Sequence, residues 1–324
     1  MQNIILNISK NKQLSKKTGQ IAFSLFRLAF LLAIGYIILF PLIYMMSNAF
    51  KPEAQILDPS VVWVPKSFTF DNVVKAFYAL DYLTSLSVSL LVNVVSALIQ
   101  VFTCAIVAYG LSRFKFKESK LIFGLIVLTI LVPPQAIIIP LYVNFAHFDV
   151  FGILTLLTKL FGADLRPNLL NSPLAFYLPS VFGVGLRSGL FIFIYRQFFS
   201  SIPKELEEAA WVDGAGPVKT FLRIVLPSSG VAILVVTILS IIWYWNEFYL
   251  GSLFFTDQFP LAVALAQIRS GLQNTMGYNQ FANPLLIRNI LMAACLIFML
   301  PMLVMYAVLQ KYFIRSINRV GIIG

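Results

Sequence analysis

The sequence predicts an all-α membrane protein with six spanning helices and a helical hairpin exposed at one membrane face. Three observations carry that prediction. Of the 324 residues, 59% are hydrophobic and only 11% are charged, and a mean hydropathy of +0.86 is that of a chain built to live in lipid. The apolar residues gather into six windows, each long enough to cross a hydrocarbon core of about 30 Å, which takes roughly 20 residues. Between the fourth and fifth windows stands a segment with the charge and punctuation of water-exposed structure.

The windows are residues 21–46, 85–111, 121–145, 173–198, 229–255 and 285–310. Lysines precede the first and Ser47-Asn48-Ala49 follows it, as in a secretory signal, but the apolar run is too long for one and predicts an uncleaved span. Basic residues orient the chain, because Lys and Arg accumulate on the cytoplasmic side. Lys10, Lys12, Lys16, Lys17 and Arg27 mark the start, Arg113, Lys115, Lys117 and Lys120 crowd the connection after the second window, and Lys311, Arg315 and Arg319 follow the last. The alternate connections are balanced: Lys51, Lys66 and Lys75 stand against Glu53, Asp58, Asp71 and Asp81, and Lys159 and Arg166 against Asp149 and Asp164. Both termini and the 201–228 loop are therefore expected in the cytoplasm. The expected division is a leader at 1–20, a spanning domain at 21–310 and a tail at 311–324. The net charge of +11 follows this placement and reads as topology, not as a nucleic-acid footprint.

Few side chains offer catalysis. Cys104 and Cys295 each sit inside an apolar window without partner spacing, as buried inert thiols do, and His147 is the only histidine, which leaves no multi-histidine metal site. Gly214-Ala215-Gly216-Pro217-Val218-Lys219-Thr220 imitates a phosphate-binding loop, yet Val218 stands where a glycine must precede the lysine and no buried strand leads in. No cofactor is expected on this chain.

The hairpin reads as backbone chemistry. Pro203 suits a first helical turn, and Glu205, Glu207 and Glu208 place negative charge at the positive end of the dipole. Asp213-Gly214 predicts the stop, with glycine in the left-handed conformation, and Gly216-Pro217 predicts a restart that Pro227 ends. Leu206, Ala209 and Ala210 are expected to share one docking face, where two alanines admit a close backbone. An amphipathic hairpin lying on the membrane is the competing reading, although an acidic cluster suits an anionic leaflet poorly.

Glu208-Ala209-Ala210, then Gly214, Ile224 and Leu226-Pro227, resembles the EAA loop of binding-protein-dependent ABC importer permeases. The rest of the chain is similar to the carbohydrate branch, through residues 133–142, Tyr195-Arg196-Gln197-Phe198-Phe199, Trp245-Asn246-Glu247-Phe248 and Gln310-Lys311-Tyr312-Phe313. The resemblance implies a coupling helix, with Glu208, Ala209, Ala210, Asp213, Gly214, Ile224, Leu226 and Pro227 contacting a separate cytoplasmic ATPase that binds ATP and Mg. It also implies a second homologous permease completing a heterodimer, two ATPase copies, an extracellular solute-binding protein and a carbohydrate substrate in a bacterial cytoplasmic membrane. This chain hydrolyses nothing itself. Two departures stand out: the 148–171 segment is long, either an external interfacial helix contacting the binding protein or a packing insertion, and the tail ends Gly321-Ile322-Ile323-Gly324, where relatives commonly carry a lysine before the last glycine.

Polar residues inside the windows are the remaining candidates for a substrate pathway, because charge at membrane depth is costly and faces a cavity or a partner. Arg187 lies in the glycine-rich run Gly183-Val184-Gly185-Leu186-Arg187-Ser188-Gly189, either as a gate or as a structural kink. Asn246 and Glu247 follow the aromatic run Trp243-Tyr244-Trp245, which suits either an interface belt or a sugar platform. Gln135 and Asn144, with Asn93 and Gln100, complete the set. A self-sufficient ion-coupled transporter stands as the alternative, but no inverted repeat is visible and the acidic residues cluster in the loop. An importer for a non-sugar solute such as a glycerol phosphate ester is also open, and a membrane enzyme would lack a nucleophile–base constellation.

Overall fold

Every regular element among the described residues is helical, the form in which a backbone in lipid satisfies its own N–H and C=O groups. In this computed structural model the described residues are 2–58, 60–61, 63–114, 116–149, 152–277 and 283–320. Lys115 of the basic cluster, Phe151 of the long connection and the terminal Gly321-Ile322-Ile323-Gly324 lie outside them.

In chain order the helices are α1 (Gln2–Ala49), α2 (Asp71–Ala79), α3 (Tyr82–Ser89), α4 (Val95–Arg113), α5 (Ser119–Leu131), α6 (Ile138–Ala146), α7 (Ile153–Phe161), α8 (Leu174–Val181) and α9 (Ser188–Ser201). They continue with α10 (Glu205–Val212), α11 (Pro217–Thr220), α12 (Leu226–Ser228), α13 (Gly230–Trp245), α14 (Tyr249–Phe254), α15 (Leu261–Ala266), α16 (Ile268–Met276) and α17 (Pro284–Val320).

Among the described residues three rods are long and apolar enough to cross a membrane: Gly19–Ala49 within α1, Tyr82–Arg113, in which a π turn at Leu90–Val94 joins α3 to α4, and Pro284–Tyr312 within α17. The third window is not straight, and the fifth is entered through a bend. Ser119–Leu131 and Gln135–Ala146 meet at 97°, where Pro133 and Pro134 remove two backbone donors and force Val132 into an extended conformation. Pro217–Ser228 and Gly230–Trp245 meet at 80°. The fourth window is interrupted, α8 ending at Val181 and α9 starting at Ser188. Among the described residues the six apolar windows thus become three rods, one bent pair, one helix entered through a bend and one broken helix; paired prolines and the glycine-rich run interrupt their windows, whereas the single Pro41 and Pro301 stay inside rods.

The chain forms two compact units, Met1–Lys75 with Ala282–Leu296, and Ala76–Phe281 with Ile297–Gly324. In the first, the turn after α1 closes on itself. Asn72 Nδ2 donates to the Ala49 and Lys51 carbonyls at 3.1 and 2.9 Å, and Lys51 Nζ donates to the Val61 carbonyl at 2.8 Å. Burial pushes the Lys51 pKa down, and the nearby positive charge of Arg288 adds to the effect.

In the second unit α4 packs most extensively against α9 and also meets α8 and α13. Ala97, Cys104, Ala105 and Ala108 of α4 are at most 1% exposed. Such small residues let a neighbouring backbone approach closely, the mode by which helices associate in lipid, where apolar burial alone gives no preference between tails and protein. Phe191, Tyr195 and Phe199 of α9 fill the space they leave, each fully buried. Cys104 is buried in this core and Cys295 is half-buried, and both are free thiols.

Close approach also governs α16, where a Cβ on Gly271 would collide with the Ala79 carbonyl oxygen. Gly271→Ala is therefore expected to destabilise the protein by about 1–3 kcal/mol. Gly124→Ala, with nothing within 4 Å of the added methyl, leaves stability unchanged or slightly raised. Thermal unfolding in detergent measures both.

Candidate functional site

The hairpin starts at α10, two residues beyond Pro203, with Glu205, Glu207 and Glu208 in its first turn. A Schellman arrangement ends it: Gly214 N–H donates to the Trp211 carbonyl at 3.0 Å and Ala215 N–H to the Ala210 carbonyl at 2.9 Å. Gly214 adopts φ +79°, which a residue with a Cβ resists. Gly216 is extended, and Pro217 opens α11. The second helix ends at Ser228, one residue past Pro227 and in keeping with the expected stop. A π turn at Phe221–Val225 widens the backbone ahead of Pro227, whose ring and missing N–H a regular turn would not accommodate. Ser228 Oγ and Ser229 Oγ then donate to the Ile224 and Val225 carbonyls at 2.7 and 2.6 Å, and the chain bends into α13.

Burial divides the α10 side chains in a way that differs from the expected face. Glu207 and Ala210 point inward at 2% and 6% exposure, while Leu206, Glu208, Ala209, Trp211 and Val212 are exposed. Leu206 and Ala209 therefore do not share a buried face with Ala210. Glu207 sets the rotation. Its Oε1 lies 2.6 Å from Arg113 Nε, and its Oε2 accepts the Tyr109 hydroxyl at 3.1 Å. Arg113 Nη2 also donates to the Ile202 carbonyl at 2.8 Å. Asp213 and Gly214 are exposed at the turn, while Ile224 and Leu226 are half-buried and Pro227 is exposed.

The break between α8 and α9 borders a cavity of about 630 Å³, lined by Arg187, Asn144, Thr129 and Ser188 among aromatic and aliphatic side chains. Arg187 sits at φ +57°, left-handed for a non-glycine residue, and its guanidinium lies over the Trp243 ring at 4.5 Å. Two other helices, α4 and α13, hold this break in place. Gln100 Nε2 donates to the Leu186 carbonyl and, at 3.0 Å, to Ser188 Oγ. Leu186 N–H donates to the Tyr244 hydroxyl at 3.4 Å, and that hydroxyl shares a 2.7 Å hydrogen bond with Ser180 Oγ. A Cβ on Gly185 would lie 2.5 Å from the Tyr244 oxygen and 2.9 Å from Gln100 Oε1, so only glycine fits here.

Of the polar residues named from the sequence, Arg187 and Asn144 line the cavity, and Gln135, Asn246 and Glu247 do not. Gln135 is exposed in the 3₁₀ turn Pro134–Ile137. Asn246 Nδ2 bonds the Ile242 carbonyl of its own helix at 2.8 Å, and Glu247 Oε1 accepts the Leu250 N–H at 2.8 Å as a cap for α14. Gln100 is fully buried as part of the break, and Asn93 is buried within the Leu90–Val94 π turn. The long connection contains α7 between Gly152 and Gly162, both left-handed. Asp149 caps α7 by accepting the Leu154 and Thr155 amides at 2.9 and 3.0 Å, and the Thr155 hydroxyl holds its carboxyl below the usual range.

Sequence reasoning missed Glu207, Arg113, Tyr109 and Tyr244. One signal was available for the first: two consecutive glutamates on a helix point about 100° apart, so an outward Glu208 turns Glu207 toward a flank. Arg113 had been counted only as a topogenic charge.

Residues 101–319 match the family described as binding-protein-dependent transport system inner membrane component. The chain is 31% identical over 304 residues to "Probable ABC transporter permease protein YurM" of Bacillus subtilis, covering 92% of this chain and 87% of that protein. It is 29% identical over 291 residues to the melibiose/raffinose/stachyose import permease protein MelC of the same organism, covering 88% and 91%. Among solved structures, the crystal structure of a bacterial ABC transporter involved in the import of the acidic polysaccharide alginate shares the fold, with a TM-score of 0.65 at 20% identity over 90% of this chain and 96% of that one.

The hydrogen bonds at the break generate a stability test. Tyr244→Phe leaves the Leu186 amide and the Ser180 hydroxyl short of a partner and is expected to lower stability by about 1–2 kcal/mol. Asn246→Ala, which removes only a bond within its own helix at the surface, is expected to change it by less than about 0.5 kcal/mol. Scanning fluorimetry in detergent compares the two.

Proposed function

The chain belongs to the binding-protein-dependent transport system inner membrane component family, and on that premise we propose that it is one permease subunit of a carbohydrate ABC importer, driven through the 201–228 hairpin. The observation that carries this reading is the exposed face of α10, where Glu208, Ala209, Trp211 and Val212 project beside a glycine turn into a loop joined at 80° to α13. An acidic side chain flanked by small and apolar surface is suited to a cleft containing a basic residue, where Glu208 forms a charge-assisted contact. Val212 is 88% exposed, a surface left for a partner to cover.

In this reading two ATPase copies bind ATP and Mg, and this chain binds no cofactor. One copy docks on this hairpin and the other on a homologous companion permease. Their closure switches the permease pair between inward-facing and outward-facing states, and an extracellular solute-binding protein delivers substrate. The hairpin and both termini are cytoplasmic, the leader, spanning domain and tail divide at 1–20, 21–310 and 311–324, and the three rods, the bent third window, the broken fourth and α13 make six crossings.

The cavity beside Arg187 is the part of the pathway supplied by this chain. It combines aromatic and aliphatic walls with Asn144, Thr129 and a guanidinium, which suits a sugar's apolar faces and hydroxyl edges. The printed names of relatives support a carbohydrate, MelC being named for melibiose, raffinose and stachyose.

Reconstitution in proteoliposomes with the companion permease, the ATPase and the binding protein tests this proposal, using a panel of neutral and acidic oligosaccharides. Uptake is expected to require ATP. Glu208→Gln is expected to lower it at least about thirtyfold, the lower end for truncating one partner of a buried charge pair. Uptake by this chain alone on an ion gradient would falsify the importer reading.

A further inference from the structure

We propose that Glu207 and Arg113 form the element that transmits hairpin motion into the membrane core, with Glu207 clamping α10 to the ends of α4 and α9. The inference rests on the ATPase-driven reading above and deepens it by separating two adjacent glutamates: Glu208 engages the partner, and Glu207 carries the displacement inward.

The geometry concentrates the link at one point. Arg113 is the last residue of α4, Ile202 follows the end of α9, and Glu207 lies in the first turn of α10. A single guanidinium joins all three, through Nε to the carboxylate and Nη2 to the Ile202 carbonyl. The Tyr109 hydroxyl, one turn earlier on α4, holds the second carboxylate oxygen. Both charged side chains are shielded, with 6% and 2% exposure.

Packing alone does not attach α10 this way. Its buried residues are Glu207 and Ala210, and an alanine methyl reaches little. Glu207 is thus the one long side chain of this helix that is fully buried. Removing one partner leaves the other charge buried and uncompensated, so α10 cannot shift relative to α4 without breaking the pair or carrying α4 with it. A displacement imposed on Glu208 therefore moves α10, α4 and α9 as one body. Because α4 also supplies Gln100, which holds the Leu186 carbonyl at the α8–α9 break, the moving body extends to the edge of the cavity.

The test uses the importer assembled from this chain, its companion permease and its ATPase. A single probe cysteine is placed at the cavity by Asn144→Cys, in a chain carrying Cys104→Ala and Cys295→Ala. Labelling of this chain by a membrane-impermeant maleimide is read by mass spectrometry with and without ATP and vanadate, alongside ATP hydrolysis. The expected result is that Glu207→Gln, Arg113→Gln and the double variant each still capture the ATPase. Each lowers the ATP-driven change in labelling, per ATP hydrolysed, by about tenfold, inside the roughly 5–150-fold span of ordinary coupling between sites. The double variant falls no further than the singles, because one pair is being removed.

A ratio within about twofold of wild type in the assembled variants overturns the proposal. So does loss of ATPase capture by folded Glu207→Gln, which would make Glu207 a docking residue. Should the glutamine variants fail to fold, Tyr109→Phe decides, since it removes one hydrogen bond and keeps the ion pair: a lowered ratio supports the clamp and an unchanged ratio overturns it. Absence of any ATP-driven change in the wild-type importer would instead remove the parent reading.

Discussion

Inside a bilayer a backbone amide has no water to bond, and a break in a helix leaves several such groups bare. At the interruption between α8 and α9 the Leu186 carbonyl is taken by Gln100 from α4 and the Leu186 N–H by Tyr244 from α13. Without those two side chains the glycine-rich run would sit in hydrocarbon with unpaired polar groups, each costing about 1–3 kcal/mol. With them, the run becomes a wall of the cavity, and Arg187 is held in a left-handed conformation above Trp243. The same constraint accounts for the hydroxyls of Ser228 and Ser229 on carbonyls beside the bend into α13. At the α8–α9 break and at the bend into α13, the departure from a straight helix is matched by polar groups supplied locally or from across the bundle.

The hairpin faces a different problem, since α10 buries only Glu207 and Ala210 and has no apolar stripe to attach it. Helical geometry turns neighbouring residues about 100° apart, so Glu207 and Glu208 cannot serve the same surface. One is shielded against Arg113 and Tyr109, and the other is exposed. The rotation that places Glu207 inside also exposes Ala209, Trp211 and Val212 on the far side, beside the Gly214 turn. The buried anchor and the exposed face are two consequences of one rotation.

Much of this was legible residue by residue. Gly214, Gly216 and Pro217 announced the turn because their effects on φ and on backbone donors are local and need no partner. Pro133 and Pro134 carried the same kind of local signal, but residues 121–145 were read as one unbroken span, and the structure bends them by 97°. Pro227 announced the end of the second helix to within one residue, although the π turn that admits its ring was not legible. Arg187 and Asn144 were found at the cavity through the rarity of polar residues at membrane depth. Gln135, Asn246 and Glu247 shared that signal but sit in a turn, on their own helix and at a helix cap.

By itself, the sequence determined the all-helical membrane class, the limits of the hairpin and the positions of its turns, because hydropathy and backbone preference act over a few residues. Tertiary structure alone decided which of two adjacent glutamates is buried, which windows are bent or broken, and which polar side chains reach the cavity. Those outcomes depend on residues far apart in the chain, as Arg113 is from Glu207 and Gln100 from Leu186. No local pattern of hydrophobicity or charge states which distant partner a buried polar group will meet.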